Sequence, residues 1–370
     1  MKKYKQRWVI KAGSSLIASS KRGLDDSFIS SLVKVVKELK DRDIEIVVVS
    51  SGAVAQGMYD LDLNTRPESL PLLQASAAVG QLGLINLYQN EFKKFSIQSA
   101  QVLISHSDIA NRGRYLNARH SLNTLLSLNV VPIVNENDSV ATDEISFGDN
   151  DSLAGAIAGL INANKLIILT DQEGVYTSDP NKDNSAKLIK QINLDEDSFS
   201  LSQINLEGSG TLGRGGMITK IEAAKKASTT GCVTWILKGD KVKEILDSES
   251  NLSGTKIISN KNSLQSRKQW IVSRGKSSGS LVIDTGAVEA LKNKGTSLLP
   301  VGIISCSGKF EKGDLISCFD DKENEIALGL TNFSSQELQK VIGLKSEDLS
   351  SKLGYLVEEE VIHRDNLVLS

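Results

Sequence analysis

Through the first two thirds of the chain, short β-branched runs alternate with longer stretches whose apolar residues recur every three to four positions. That alternation predicts a parallel sheet flanked by helices. Residues 7–11 read as the first strand, and residues 27–40 as a helix carrying Phe28, Leu32, Val35, Val36 and Leu39 on one face. Further strands are expected at 45–49, 99–104, 130–134, 165–169 and 233–237, and helices at 72–92, 115–126, 151–161 and 216–229. Residues 178–187 are polar throughout and read as an exposed excursion. Past about Gly254 the rhythm changes. A polar segment at 259–268 leads into strand-like runs punctuated by glycine with little helix between them. A boundary is therefore expected near residue 262, with one domain over 1–262 and a small β-rich one over 267–358.

Composition narrows the classes. The 370 residues suit two domains, and 40% apolar with 24% charged residues excludes a disordered or collagen-like chain. Lys and Arg number 43 against 45 Asp and Glu, so no global charge draws the protein toward nucleic acid or anionic lipid. Lys2, Lys3 and Lys5 imitate the start of a signal peptide, but Lys11 interrupts Trp8-Val9-Ile10 at once. No uninterrupted apolar run approaches the roughly 20 residues of a membrane span. A soluble, cytoplasmic protein is expected. Cys232, Cys306 and Cys318 lie among apolar neighbours and read as buried, inert thiols. His106, His120 and His363 are too scattered for a histidine-based metal site or a Ser-His-Asp triad.

Chemistry must then come from lysine, carboxylates, amides and backbone. Ligands of open α/β sheets bind outside the carboxyl ends of strands, and four such places carry suitable groups. Lys11 leads into Ala12-Gly13-Ser14-Ser15, an ammonium beside backbone amides that suit phosphate oxygens, or a solvated lysine before a turn. Ser50-Ser51-Gly52 joins a strand to a helix whose free amides favour an anion, or serves only as a small-residue cap. Asn135-Glu136-Asn137-Asp138 and Asp149-Asn150-Asp151 supply dense amides and carboxylates, or a polar turn and an Asx cap. Gly213-Arg214-Gly215-Gly216 precedes a helix with Lys220 in its first turns, although it is not a Walker A loop. Two lysines, carboxylates and glycine-rich helix starts are what phosphoryl transfer needs, because its catalysis is mostly positioning and charge stabilisation.

KAGSS, SSGAVAQG, QASAAVGQ, NARHSLNTLL, VVPIVNENDSVATDEISFGDNDSLA, LIILTDQEGVYTSDP and GRGGMITK occur in this order across nearly the whole chain. With them the sequence resembles the glutamate 5-kinase family, amino-acid kinases that carry a C-terminal PUA domain. The resemblance implies a three-layer α/β/α sandwich with a mostly parallel sheet plus a β-rich PUA domain. It also implies ATP-dependent phosphorylation of the glutamate side-chain carboxylate, the first step of proline biosynthesis. It assigns Lys11 and Lys220 to the transferring phosphoryl group, and Asp151 to orienting them. Ser51, Gly52, Asn135, Asp138, Asp149 and Asn150 form the glutamate pocket, with Asp138 as partner of the substrate ammonium. Thr170, Asp171, Gly213, Arg214, Gly215, Gly216 and Met217, with Lys11 and Lys220, form the ATP site. Mg²⁺ arrives with the nucleotide, and no protein metal ligand is expected. Proline as feedback inhibitor, a homo-dimer or tetramer, and hand-off to glutamyl phosphate reductase are further implications.

The family pattern has threonine where this chain has Arg214; that cation either adds a charge-assisted phosphate contact or points to solvent. Ile283-Asp284-Thr285-Gly286-Ala287 and the segment from Ser297 to Ile303 match the family's tail. PUA folds elsewhere bind RNA, and a modest basic excess runs from Arg267 to Lys312. Aromatic residues are sparse there, so RNA binding is not expected. The competing readings are a same-fold kinase for another carboxylate or a nucleoside monophosphate, and an RNA-binding protein with an inactive kinase-like half.

Overall fold

The computed structural model describes residues 6–19, 21–140, 150–180, 182–195, 216–259, 277–354 and 359–370. The chain divides into two compact units, Met1–Lys261 and Asn262–Ser370. In the first unit the elements run β1 (Gln6–Ala12), α1 (Ser14–Ile17), β2 (Ala18–Ser19), β3 (Gly23–Leu24), α2 (Asp26–Asp41), β4 (Ile44–Val49), α3 (Ala53–Asp60), α4 (Leu70–Lys93), β5 (Ser99–Ile104), α5 (His106–Ala110), α6 (Arg112–Ser127) and β6 (Val131–Glu136). They continue with α7 (Asp151–Leu160), β7 (Lys165–Thr170), β8 (Gln191–Asn193), α8 (Met217–Ser228), β9 (Val233–Lys238) and β10 (Thr255–Ile258).

Eight strands form one sheet in the order β5-β6-β4-β1-β7-β9-β10-β8. All neighbours are parallel except β9 and β10. Crossover helices cover both faces, which is why the central strands are continuous apolar runs rather than alternating ones. Val9, Val47, Val49 and Ile168 turn toward Leu153 and Ile157 of α7 and Ile221 of α8. Ile10, Val48 and Leu169 turn toward Leu32 and Val36 of α2 and Leu84, Tyr88 and Phe92 of α4. The result is a three-layer α/β/α sandwich. The short strands β8 and β10 extend it beyond the expected set, because three or four residues are too few to show a period.

Among the described residues, α4 alone has the length and apolar composition of a membrane-crossing helix. Its apolar residues are interrupted by Gln74, Gln81 and Asn86, and it buries Leu84, Tyr88 and Phe92 in the core of this unit.

The second unit holds a mixed five-stranded sheet in the order β12-β11-β13-β14-β15. Its strands are β11 (Gly279–Ile283), β12 (Ile303–Gly308), β13 (Leu315–Phe319), β14 (Glu325–Leu330) and β15 (Leu367–Leu369). The expectation of little helix here is corrected by α9 (Thr285–Lys294), α10 (Ser335–Val341) and α11 (Ser346–Leu353). Local signals start and stop them. The Asp284 side chain accepts from the Ala287 amide at 2.7 Å, Ser334 and Glu337 form a capping box, and Gly295 and Gly354 end helices in the left-handed region. The thiols are also only partly as expected: Cys232 and Cys318 are buried, with burial pushing both pKa values up, but Cys306 on β12 is half-buried.

Helices α7 and α8 approach each other at Gly155, where a methyl group would lie 2.5 Å from the Ala223 carbonyl oxygen and 2.8 Å from its Cα. Gly155→Ala must force the two helices apart. It is expected to cost roughly 2 kcal/mol, read as a lower urea midpoint, because overpacking against backbone cannot be relieved by a side-chain rotation. It is expected to lower turnover as well, and an unchanged midpoint would show that the contact is not tight.

Candidate active site

Three chain segments that are remote in sequence converge on one carboxylate. Lys11 is the penultimate residue of β1, in register with Val49 and Ile168 of the flanking strands. Asp151 opens α7, and Lys220 lies in the first turns of α8. Asp151 has no solvent exposure; Lys11 ion-pairs with its Oδ1, and the Lys220 ammonium donates to Oδ2 at 2.9 Å. The Thr219 hydroxyl lies 3.1 Å from the same Oδ2 and 2.8 Å from the Gly216 carbonyl oxygen. Burial by itself would raise the pKa of Asp151. The charges of Lys11 and Lys220, and their hydrogen bonds, outweigh it and hold the carboxyl below the usual carboxylate range. Two buried ammoniums and one carboxylate leave a net positive charge in a dry place, which favours an anionic ligand.

Gly13 corrects one expectation. Its amide donates to the Leu169 carbonyl oxygen at 3.1 Å, so this N–H is spent within the fold.

Beside the triad lies a chain of amides. Asn150 immediately precedes α7, and its Nδ2 donates to the Ser50 carbonyl oxygen at 2.5 Å and to Asn135 Oδ1 at 2.6 Å. Asn135, the penultimate residue of β6, donates in turn from Nδ2 to Gln81 Oε1 at 2.7 Å. The Ser50 hydroxyl lies 3.2 Å from the Tyr88 hydroxyl, whose pKa burial pushes above its usual range. Ser51 follows, and its buried hydroxyl has no hydrogen-bond partner among the described residues. Gly52 then takes φ +98° at the start of α3, a conformation that favours glycine, and a would-be methyl there would crowd Ile17 Cγ2 at 3.0 Å. An orphaned hydroxyl at such a turn is a group prepared for a ligand.

Asp138 lies two residues beyond β6 and is half-buried. Burial, then the charge of Glu136, pushes its pKa up to about 7 against the pull of Arg66. Glu136 itself accepts from the His106 amide at 3.1 Å and pairs with His106 Nδ1 at 3.1 Å. At the end of β7, which neighbours β1, the buried Thr170 donates to Asp171 Oδ1 at 3.0 Å. Gly216 and Met217 start α8. Asp149, Gly213, Arg214 and Gly215 lie outside the described residues.

Lys11, Asp151 and Lys220 thus meet directly, and Asn135 and Asn150 meet each other. Thr219, Gln81, Tyr88 and the His106–Glu136 pair were not singled out from sequence. Gln81 and Thr219 do sit inside two of the recognised segments, the only signal they carry, while Glu136 belongs to the carboxylate-rich run at the end of β6, without its pairing to His106 being legible there. Among the described residues no group of three or more His, Cys, Asp or Glu side chains could hold a metal ion.

The family model described as amino acid kinase family matches residues 6–238, and the PUA domain model matches residues 279–353. Glutamate 5-kinase of Nitrosococcus oceani is 46% identical over 98% of this chain and 97% of its own length. The Nitrosospira multiformis glutamate 5-kinase is 45% identical over 99% and 98%. Among solved structures, an isopentenyl phosphate kinase product complex from T. acidophilum aligns at 20% identity and a TM-score of 0.49, over 68% of this chain and 100% of that one.

Removing the central charge takes from two buried ammoniums the carboxylate they share. Asp151→Asn is expected to cost about 3 kcal/mol at pH 7, the usual scale for breaking a buried ion pair from one side. Because the folded pKa of Asp151 is depressed, its contribution is present above the unfolded value of about 4 and fades as pH falls below it. Urea midpoints of variant and parent should therefore differ more at pH 7 than at pH 3. An equal gap at both would show that the charge is not what the fold uses.

Proposed function

We propose, because the chain belongs to the amino acid kinase family and within it to the glutamate 5-kinases, that it transfers the γ-phosphoryl group of ATP to the side-chain carboxylate of L-glutamate. The product is L-glutamyl 5-phosphate, a mixed anhydride and the first intermediate on the way to proline. The buried Lys11–Asp151–Lys220 triad carries this reading. A phosphoryl group in flight spreads negative charge over its oxygens, and two preorganised ammoniums in a water-poor site meet that charge without reorganising. Asp151 keeps the two cations together and aimed. The acceptor carboxylate is already anionic, so no general base is needed, which accords with a site built without a catalytic histidine.

Glutamate would be held by Ser51, Gly52, Asn135, Asp138, Asp149 and Asn150. The orphaned Ser51 hydroxyl suits its carboxylates, and Asp138 its ammonium. Thr170, Asp171 and the segment from Gly213 to Met217 would hold ATP, with Lys11 and Lys220 at its phosphates. Arg214 adds either a phosphate contact or nothing to that segment. Both Asp151 oxygens are taken by lysine and threonine. The described residues therefore build no resident metal site, and Mg²⁺ enters as part of the nucleotide substrate, neutralising phosphate charge there.

Other parts of the reading rest on the family resemblance: feedback inhibition by proline at a site overlapping that of glutamate, hand-off of the labile product to a glutamyl phosphate reductase, and a cytoplasmic location. A homo-oligomer, dimer or tetramer, is supported by α4, which leaves Leu72, Val79 and Leu82 exposed at spacings that share one helix face.

Glutamate-dependent ATP consumption, with the acyl phosphate trapped by hydroxylamine, tests the reaction. Parent protein should give hydroxamate, and Lys11→Ala and Lys220→Ala should each lower kcat about 10²- to 10³-fold, the scale for losing one electrostatic donor. Turnover near the parent's in either variant would remove that lysine from the chemistry. Hydroxamate formed only from another carboxylate would keep the mechanism and overturn the substrate.

Asp138 makes binding pH-dependent. With its pKa at about 7, it is largely neutral at pH 6 and ionised at pH 8, so the glutamate KM should fall as pH rises across that window. Asp138→Asn should raise this KM and flatten its pH profile while leaving the ATP KM alone. The reverse pattern would move Asp138 to the nucleotide side.

A further inference from the structure

The segment QASAAVGQ entered the family comparison without a chemical role, and its last residue touches the amide chain beside the triad. An amide side chain has one accepting and one donating end, and which end faces a ligand depends on what the other partners demand. At Asn150 that demand is complete. Nδ2 has two hydrogens, and both are used, one on the Ser50 carbonyl oxygen and one on Asn135 Oδ1. The Asn150 Oδ1 is the amide atom left to face a ligand, and it can only accept.

This polarity holds only while Asn135 presents its oxygen to Asn150. Asn135 Oδ1 also accepts from the Glu136 amide at 2.9 Å. What keeps the other end of Asn135 pointing away is Gln81 Oε1, an acceptor 2.7 Å from Asn135 Nδ2. Gln81 is in turn set by its neighbour. A methyl group at Gly80 would lie 2.0 Å from the Ala53 carbonyl oxygen and 2.3 Å from the Gly57 amide nitrogen, so α4 rests directly on the backbone of α3 there. That contact fixes the height and rotation of α4 one residue before Gln81, and it links Gln81 to the helix that starts at the Ser51-Gly52 turn.

We propose that Gln81 is a positioning residue for the acceptor amino acid. Through its Oε1 it locks Asn135, and Asn135 locks Asn150 with its carbonyl oxygen toward the substrate, where an ammonium or another donor is the fitting partner. The inference rests on the glutamate reading above. Gln81 acts on the amino-acid side only, through the orientation of two amides, and not on the phosphoryl-transfer step.

Gln81→Glu, which keeps the length and shape of the side chain, and Gln81→Lys, which is one atom longer and has no acceptor, test it. Glutamate-dependent hydroxamate formation by the parent protein is the control, and if the parent makes none the proposal falls together with the functional reading. Glutamate at this step bears a net negative charge, so a simple field effect would make Gln81→Lys the better binder and Gln81→Glu the worse. The relay demands the opposite, because a carboxylate can accept from Asn135 Nδ2 and an ammonium cannot. Gln81→Glu is expected to keep the glutamate KM within about threefold of the parent, and Gln81→Lys to raise it about tenfold or more, with the ATP KM and kcat of both within about twofold.

A melting curve on each variant checks folding. Should Gln81→Lys not fold, Gln81→Met, which lacks an acceptor but keeps the volume, takes its place with the same expected rise. In an Asn135→Ala background, where no relay remains, either change at Gln81 should move the glutamate KM less than twofold. The order Lys better than Glu, or an undiminished effect in the Asn135→Ala background, would overturn the proposal.

Discussion

A carboxylate with no contact to water cannot stay ionised alone, and Asp151 stays ionised because two ammoniums reach it from different directions. That requirement ties together parts of the first unit that share no local sequence. β1 has to end beside β4 and β7 so that Lys11 stops at the right height. Helix α7 has to begin at Asp151, and α8 has to lie near enough to α7 for Lys220 to reach across, which the Gly155–Ala223 approach allows. If any of these moved by an ångström, the cost would be counted in unpaired buried charge, a large quantity beside the marginal stability of a domain.

One helix start serves both halves of the site. Asn150 joins the amide chain that runs to Ser50, Asn135 and Gln81, and Asp151, the next residue, joins the ion triad. The amides and the buried cations are therefore set by the same turn of backbone, so that on the proposed reading an acceptor bound at one would be brought to the other. Effective concentration of this kind is most of what a phosphoryl-transfer site has to supply. The buried, neutral phenol of Tyr88 lies against the Ser50 hydroxyl just past the end of β4.

The two units solve the folding problem differently. In the first, long crossover helices cover a sheet buried on both faces, and the strands are apolar throughout. In the second, short strands and short helices alternate, and the ends of its helices are set by local caps such as Asp284, Ser334 with Glu337, Gly295 and Gly354. Helices of seven to ten residues among glycines give too few turns for a period to stand out, which is why little helix is expected there from the sequence.

Periodicity alone determined the sandwich, the order of its long elements and the change of rhythm near residue 262, because amphipathic helices and buried strands write their spacing into consecutive residues. The seven segments in order likewise pointed to Lys11, Asp151 and Lys220, and to the proposed pocket residues Ser51, Asn135 and Asn150. What no linear pattern contained was which groups meet. Two ammoniums, 140 and 69 positions away from it in sequence, share one carboxylate, Gln81 finds Asn135 across 54 residues, and Gly13 gives its amide to Leu169 rather than to a ligand. Such pairings depend on the strand order 4-1-7 and on how closely helices approach, quantities set by packing between distant segments. Propensity and spacing act along the chain, whereas burial, which decides whether a charge needs a partner and whether a hydroxyl is left without one, exists only once the chain has folded.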